Sequence, residues 1–328
     1  PIFRHSFTAT YYLYNLATKE LTKVLENVQE PTFSPDGTKI GYAKENDLFI
    51  YDIASKAITQ VTTDGKKNEI INGITDWVYE EEFAFVRAFD WSADSKKIAF
   101  IRFDESKVPQ FSMDMYQKDL YPTSQTFKYP KAGEKNSEVS LHIFEVGSKS
   151  AKKINLGNYS DFYIARMKWT NDANILSAQV LNRHQDNLDL IFVDGTTGTA
   201  KVVLNEKDKA YVDVTDNLTF LKDNSFIWTS EKDGFNHIYL YDKTGKLKNQ
   251  VTKGKWEVTS YYGCDEKTKT VFYQSVENGS TVRDVYKISL DGKKKVKLSS
   301  QVGTNAATFS PDFTYFINTY SSATVPPT

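Results

Sequence analysis

The chain has 328 residues, with 41 basic and 42 acidic side chains, so its formal net charge at pH 7 is -1. This balance gives no global attraction to nucleic acid or to an anionic membrane, and any electrostatic function must be local. No stretch approaches the roughly 18 apolar residues of a membrane-spanning helix. A single cysteine, Cys264, excludes an internal disulfide framework and a cysteine metal cluster, and we expect it to be a buried or inert thiol.

The first residues of the chain are Pro1-Ile2-Phe3, with no initiator methionine and no signal-peptide pattern, so we expect a piece of a longer protein. Strand-like sequence follows at once. The run Tyr11-Tyr12-Leu13-Tyr14-Asn15-Leu16 resembles the third strand of units that recur later. Residues 7–25 are therefore predicted to be the second half of one such unit.

A repeat runs through the whole chain, in which an aromatic strand end precedes a turn rich in Pro, Asp, Asn or Gly and then an apolar strand. The later copies are spaced by 42 to 51 residues, and most are followed by a second pair of strands. Four short strands per unit of this length predict an all-β fold, a β-propeller of four-stranded blades, rather than a pair of β-sandwiches. The aromatic anchors are Phe33, Trp91, Trp169, Phe220, Tyr262 and Phe309.

The spacing between the first two anchors is too long for one blade, and the excess at residues 64–90 carries an acidic motif. Asp76-Trp77-Val78-Tyr79-Glu80-Glu81-Glu82-Phe83 places three consecutive carboxylates between aromatic residues. The segment from Asp76 to Phe85 is predicted to be a short helix capped by Asp76. On it Glu81 and Glu82 would lie about 100° apart and could converge on one small cation, although a solvated acidic turn explains the composition equally well.

The spacing between the second and third anchors is also too long, and its excess is aromatic and punctuated by Pro122 and Pro130. We predict that residues 111–137 form an extended arm. Such a segment is too apolar to lie free in water, so it packs either on a partner or on the chain itself as a lid.

Other chemistries find no support in the sequence. The four histidines are scattered without a metal-ligand spacing. There is no Gly-x-Ser-x-Gly elbow, P-loop or dinucleotide fingerprint. We therefore predict no catalytic residue, no metal site and no cofactor within this chain.

Four segments together resemble the propeller domain of dipeptidyl peptidase IV and its prolyl oligopeptidase relatives, in order along the whole chain. The double-Glu motif is specific to the dipeptidyl peptidase branch. The segments are Phe3-Arg4-His5-Ser6-Phe7-Thr8-Ala9, Ile74-Thr75-Asp76-Trp77-Val78-Tyr79-Glu80-Glu81-Glu82, Tyr129-Pro130-Lys131-Ala132-Gly133 and Trp256-Glu257-Val258.

The resemblance implies a parent serine exopeptidase that releases Xaa-Pro or Xaa-Ala dipeptides from peptide N-termini. Its eight-bladed propeller would be followed by an α/β-hydrolase domain, and residues 1–328 would be the propeller with incomplete first blades. The catalytic serine, aspartate and histidine would then lie beyond Thr328.

The resemblance also assigns substrate-binding residues. Glu81 and Glu82 match the family's pair that binds the free α-ammonium of the substrate, and Arg4 matches its arginine that contacts the substrate carbonyl. Glu80 is left as a structural neighbour. The expected partners are peptides with a free N-terminus and the chain's own hydrolase domain.

Two further expectations follow from the resemblance. The arm from about Tyr116 to Lys131 is expected to serve homodimerisation. The family's animal members rely on disulfides in the later blades, so a chain with one cysteine suggests a bacterial-type member located in the periplasm or at the cell surface. The alternatives are the propeller of a prolyl tripeptidyl peptidase and a non-catalytic interaction propeller.

Overall fold

The computed structural model describes residues 2–116 and 118–328, and these residues form 26 strands and one short helix. The predicted all-β class is therefore confirmed. The helix has six residues, and no helix in the described ranges is long and apolar enough to cross a bilayer.

The first sheet contains five strands in the order β1-β2-β3-β4-β5. Its long strand β2 pairs with β1 through residues 21–28 and with β3 through residues 29–33, with a register shift between Gln29 and Thr32. Strand β2 thus changes partner partway along its length, while β1 to β5 remain one continuous sheet. The strands span Ala9–Tyr14, Leu21–Phe33, Lys39–Lys44, Asp47–Asp52 and Ile58–Gln60.

The second sheet carries both predicted insertions. The part of the chain that forms this sheet and its insertions contains, in order, β6 (Ile70–Asn72), α1 (Trp77–Glu82), β7 (Phe89–Trp91), β8 (Lys97–Asp104), β9 (Gln110–Met115), β10 (Thr123–Lys128), β11 (Glu138–Glu145) and β12 (Ser150–Lys153). The sheet order is β12-β11-β8-β6, and β7 also pairs with β8. Helix α1 thus lies in the connection between β6 and β7.

The β9–β10 hairpin is a separate two-stranded sheet between β8 and β11, with continuous antiparallel register from Gln110↔Lys128 to Met115↔Thr123. It occupies the position of the predicted arm. Gln117, within that arm, lies outside the described residues.

Three four-stranded sheets and a final hairpin complete the chain, each with its strands in sequence order. The third sheet contains β13 to β16, the fourth β17 to β20 and the fifth β21 to β24, and β25 pairs with β26. Five sheets between six anchors match the predicted repeat. The strands of the third sheet are β13 (Phe162–Trp169), β14 (Ile175–Asn182), β15 (Asn187–Asp194) and β16 (Ala200–Lys207), and those of the fourth are β17 (Thr219–Phe220), β18 (Phe226–Ser230), β19 (His237–Tyr241) and β20 (Leu247–Gln250). The strands of the fifth sheet are β21 (Val258–Asp265), β22 (Thr270–Ser275), β23 (Asp284–Ser289) and β24 (Lys295–Lys297), and the final hairpin contains β25 (Thr304–Phe309) and β26 (Phe316–Ser321).

Local turn chemistry explains why the repeat recurs. After Phe33, the Ser34 hydroxyl donates to the Asp36 carboxylate at 2.6 Å, and the same carboxylate accepts the Thr38 backbone N–H at 3.0 Å. A side chain that bonds its own turn in this way favours the turn over a continued strand. The same serine–aspartate bond follows two other anchors, at Ser92–Asp94 and Ser310–Asp312.

The chain divides into two compact units, one running up to His184 with Leu190–Val202, the other comprising Gln185–Asp189 and Val203–Thr328. In the first unit, side chains of the first and second sheets form a shared apolar core that includes Leu48, Trp91 and Phe144. In the second unit, the fourth and fifth sheets share a core of their own, which Cys264 touches from a half-buried position. Burial raises the pKa of the Cys264 thiol to about 12, which disfavours the reactive thiolate at neutral pH.

Candidate functional site

The acidic motif lies at the tip of a short ribbon that projects from the second sheet. The backbone N–H of Ala88 donates to the Gly73 carbonyl at 2.9 Å, and that of Thr75 donates to Val86 at 3.0 Å. Gly73 has a φ of +74°, and a Cβ there would lie 3.0 Å from the Leu48 Cδ1 atom. Glycine therefore suits both the left-handed backbone and the close approach to Leu48.

Asp76 caps helix α1, as predicted. Its Oδ1 atom accepts the backbone N–H of Tyr79 at 2.9 Å, while Oδ2 accepts the hydroxyl of Ser137 at 2.6 Å. Burial raises the pKa of the Asp76 carboxyl. The helix ends at Glu82, three residues before the predicted Phe85, because Ala84 has a φ of +56° that helical backbone does not allow.

Tyr79 fixes the helix to the body of the first unit. Its ring is almost fully buried and contacts the rings of Phe83, Phe103 and Tyr163, with centroids 4.8 to 6.0 Å apart. Its hydroxyl oxygen accepts the backbone N–H of Ile164 at 2.9 Å. The carboxylates that follow Tyr79 are therefore presented from a firmly packed helix.

Glu80 points inward and binds the N-terminal segment. Its side chain is 1% exposed, and Oε1 accepts the backbone N–H groups of His5 at 2.5 Å and Ser6 at 3.0 Å. Ser6 in turn closes a tight turn, since its Oγ atom accepts the Phe3 N–H at 3.1 Å. This arrangement ties the turn that bears Arg4 directly to α1.

Arg4 and Glu81, which are 77 positions apart, form an ion pair. The Arg4 Nε atom lies 2.9 Å from Oε2 and 3.1 Å from Oε1 of Glu81. The Arg4 side chain is 71% exposed and that of Glu81 is 16% exposed, so water screens the pair and it contributes about 1 kcal/mol or less to stability. The guanidinium of Arg4 therefore places a positive charge directly beside the Glu81 carboxylate.

Glu82 occupies the next position of the helix and is exposed. Within residues 2–116 and 118–328 its carboxylate makes no hydrogen bond or ion pair. The structure therefore places one carboxylate against Arg4 and leaves the neighbouring one open to solvent.

A small cavity of about 170 Å³ lies beneath the Arg4 turn, and Glu105 is part of its wall. The Glu105 side chain is buried, and desolvation, together with the nearby Asp76 carboxylate, raises its pKa to about 7. Lys128, whose ammonium donates to the carbonyls of Ser106 and Val108, offsets part of this increase. Sequence reasoning missed Glu105, because only its tertiary burial distinguishes it from an ordinary surface glutamate.

The site has the chemistry of ionic recognition. It combines a guanidinium with one paired and one open carboxylate on a rigid helix end. Among the residues that the structure describes, no group of three or more His, Cys, Asp or Glu side chains fits a metal ion.

Comparison with known proteins defines the class to which this fold and site belong. The family model for the dipeptidyl peptidase IV (DPP IV) N-terminal region matches residues 1–327. The chain belongs to this family.

Two relatives show how far the likeness extends. The crystal structure of Porphyromonas gingivalis dipeptidyl peptidase 4 superposes with a TM-score of 0.95 at 44% sequence identity, covering 100% of this chain and 47% of that chain. Dipeptidyl peptidase 4 of Trichophyton equinum is 28% identical over 345 residues, which are 99% of this chain and 44% of the relative. The structural match confirms the β-propeller architecture, and the chain spans less than half the length of both relatives.

Proposed function

We propose that this chain is the substrate-gating propeller domain of a serine exopeptidase, and that it recognises the N-terminus of peptides from which Xaa-Pro or Xaa-Ala dipeptides are released. The observation that carries the proposal is the meeting of Arg4 with Glu81 beside the open carboxylate of Glu82. Family membership and relatives named dipeptidyl peptidase 4 support the same reading.

The two glutamates suit a peptide's free α-ammonium, which carries a full charge and three hydrogen-bond donors. Charge-assisted hydrogen bonds of this kind contribute roughly 1.5–3 kcal/mol each. Fixing the amine at one end limits how far the peptide reaches toward a nucleophile, so the pair would select dipeptides by length. An internal peptide segment has no ammonium and would leave the carboxylates without a partner.

Arg4 suits a carbonyl oxygen of the same substrate. Its contact with Glu81 uses the Nε atom, and its side chain is largely exposed. The N–H groups at the far end of the guanidinium therefore remain available to an acceptor, while the permanent charge balances one of the two glutamates.

The experiment replaces each glutamate in the full-length protein that contains this chain. Glu81→Ala and Glu82→Ala should each lower kcat/KM for a Gly-Pro reporter substrate roughly 100-fold, since about 3 kcal/mol of binding is lost. Glu134→Ala, an exposed glutamate, is the matched control and should leave kcat/KM unchanged. Circular dichroism should show all three variants folded. Wild-type turnover in either site variant would overturn the proposal.

We also propose that the β9–β10 hairpin serves homodimerisation through its tip. Tyr116, Leu120 and Tyr121 are 74%, 87% and 79% exposed, which is unusual for three large apolar side chains on one turn. Replacing Leu120 and Tyr121 by serine in the full-length protein should convert a dimer into a monomer in sedimentation velocity. An unchanged sedimentation coefficient would contradict this assignment.

A periplasmic or cell-surface location is the last part of the proposal. It is supported by the 44% identity to a bacterial dipeptidyl peptidase 4 and by a single cysteine in a family whose animal members rely on disulfides. Fractionation of cells that express the full-length protein tests it, and activity confined to the cytoplasm would contradict it.

A further inference from the structure

An aromatic cluster joins the base of the β9–β10 hairpin to both halves of the site. Tyr129 lies 4.3 Å from Trp77 and 5.5 Å from Phe111, measured between ring centroids. Phe127 lies 5.8 Å from Phe3, 6.1 Å from Phe111 and 6.2 Å from Tyr129. The five rings form one continuous set of edge and tilted contacts, the geometry that aromatic pairs favour.

The two ends of this cluster are next to the two charged groups of the site. Phe3 immediately precedes Arg4, and Trp77 is the first residue of α1. Glu81 follows Trp77 by four positions, so the two side chains lie one turn apart on the same face of the helix. Phe127 therefore contacts the residue that precedes Arg4, and Tyr129 contacts the first residue of the helix that bears Glu81.

Polar contacts hold the base of the hairpin in place. The buried Lys128 ammonium donates to the carbonyls of Ser106 at 3.2 Å and Val108 at 2.7 Å, beyond the end of β8. The backbone N–H of Tyr129 donates to the Pro109 carbonyl at 2.9 Å. The Gln125 amide reaches the Ile2 carbonyl at 3.4 Å, two residues before Arg4. These contacts tie the base of the hairpin to the connection between β8 and β9 and to the N-terminal segment, while Tyr116, Leu120 and Tyr121 at the tip are exposed.

We propose that this cluster is a positioning element, in which Phe127 and Tyr129 set the distance between Arg4 and Glu81. The inference rests on the proposed function and adds residues that touch neither the substrate nor the reacting atoms. Arg4 is mostly exposed and its ion pair is weak, so this pair alone does not fix its place. The Glu80 carboxylate holds the backbone of the turn against α1, and the rings behind Arg4 and α1 add side-chain packing to this tether. Substrate binding requires such rigidity before the substrate arrives.

The test measures steady-state kinetics of the full-length protein with a free-amine Gly-Pro reporter. Tyr129→Leu and Phe127→Leu should each raise KM and lower kcat/KM roughly tenfold or more, since misplacing a binding group by an ångström costs up to about 100-fold. Tyr129→Phe keeps the ring and should retain the wild-type KM. A variant that merely folds less well lowers the concentration of active enzyme and hence the apparent kcat, but leaves KM unchanged.

Tyr12→Leu provides the matched control, because Tyr12 is more than half exposed and lies outside the cluster. Its KM should equal that of the wild type. Unchanged KM in both Tyr129→Leu and Phe127→Leu would overturn the positioning role, as would a Tyr129→Phe variant as impaired as Tyr129→Leu. The proposed function fails separately, if the wild-type protein cleaves an N-acetylated reporter as well as the free amine.

Discussion

Glu80 connects two parts of the chain that are more than seventy positions apart in sequence. Its buried carboxylate accepts two backbone N–H groups, from His5 and Ser6, and so sets the register of the Arg4 turn against α1. Hydrogen bonds to a charged group contribute about 1.5–3 kcal/mol each, and removing the acceptor leaves two amides without it. Of the three consecutive glutamates, Glu80 is therefore the one with a structural role.

Replacement of Glu80 tests this role. Glu80→Ala should lower the free energy of unfolding by about 2–4 kcal/mol, measured by urea denaturation, because both amides lose their acceptor. Glu80→Gln keeps an acceptor oxygen and should lose about half as much. Glu20→Ala, at an exposed position, is the control. If Glu80→Ala were as stable as Glu20→Ala, the tether would be unimportant.

The raised pKa of Glu105 predicts that the stability of the fold depends on pH. Its pKa is raised from 4.5 to about 7 in the folded state, by burial first and by Asp76 second. Below pH 4.5 both the folded and unfolded states hold the proton, and the shift costs nothing. Between pH 4.5 and 7 the unfolded chain releases the proton while the folded chain still holds it, so the free energy of unfolding falls as pH rises. Above pH 7 the total loss is on the order of 3 kcal/mol.

Glu105→Gln should remove this contribution. We expect the variant to be more stable than the wild type at pH 8 and about equally stable at pH 4.5, as measured by denaturant midpoints at both values. A stability difference that is the same at both pH values would show that Glu105 does not titrate in this range.

Helix α1 depends on its cap more than on its length. Six residues are too few for an independently stable helix, so capping and packing must hold it. Asp76→Ala removes the acceptor of the Tyr79 N–H and leaves the buried Ser137 hydroxyl without its partner. We expect a loss of about 2 kcal/mol in thermal or chemical denaturation.

Asp76→Asn is the informative comparison for the cap, because asparagine also caps helices well. It should recover most of the stability that Asp76→Ala loses. Equal destabilisation by both substitutions would show that the negative charge, rather than the cap, is what the fold uses at this position.

The start of α1 was predictable from the sequence and its end was not. Asp76 is a strong cap residue, which marks the first turn locally. The helix stops because Ala84 adopts a left-handed backbone conformation, which alanine does not favour and which the sequence therefore does not predict. Its cause lies in the return of the ribbon to the second sheet, which is a tertiary constraint.

The same contrast holds for the site as a whole. The family resemblance assigns Glu81, Glu82 and Arg4, and the structure brings Arg4 to Glu81. The partners of Glu80, the burial of Glu105 and the ring cluster around Tyr129 each depend on segments distant in sequence, so no local pattern signals them.

Across the whole chain, repetition made the architecture predictable. Each turn after an aromatic anchor is stabilised by its own side chains, as at Ser34 and Asp36, so every unit carries its own folding signal. The insertions break the repeat, and they contain the acidic motif of the candidate site and the exposed hairpin tip, whereas Arg4 lies in the N-terminal segment. Regular sheets thus supply the scaffold, and the irregular segments carry the residues to which we assign recognition.

Recognition of a peptide's free α-ammonium is assigned to Glu81 and Glu82 of the acidic motif. The most direct measurement compares kcat/KM of the full-length protein for two peptides that differ only in a free or an acetylated N-terminus before a Pro at the second position. We expect a preference for the free amine of roughly 100-fold or more, and loss of most of that preference in Glu81→Ala. Equal cleavage of the two peptides would contradict it.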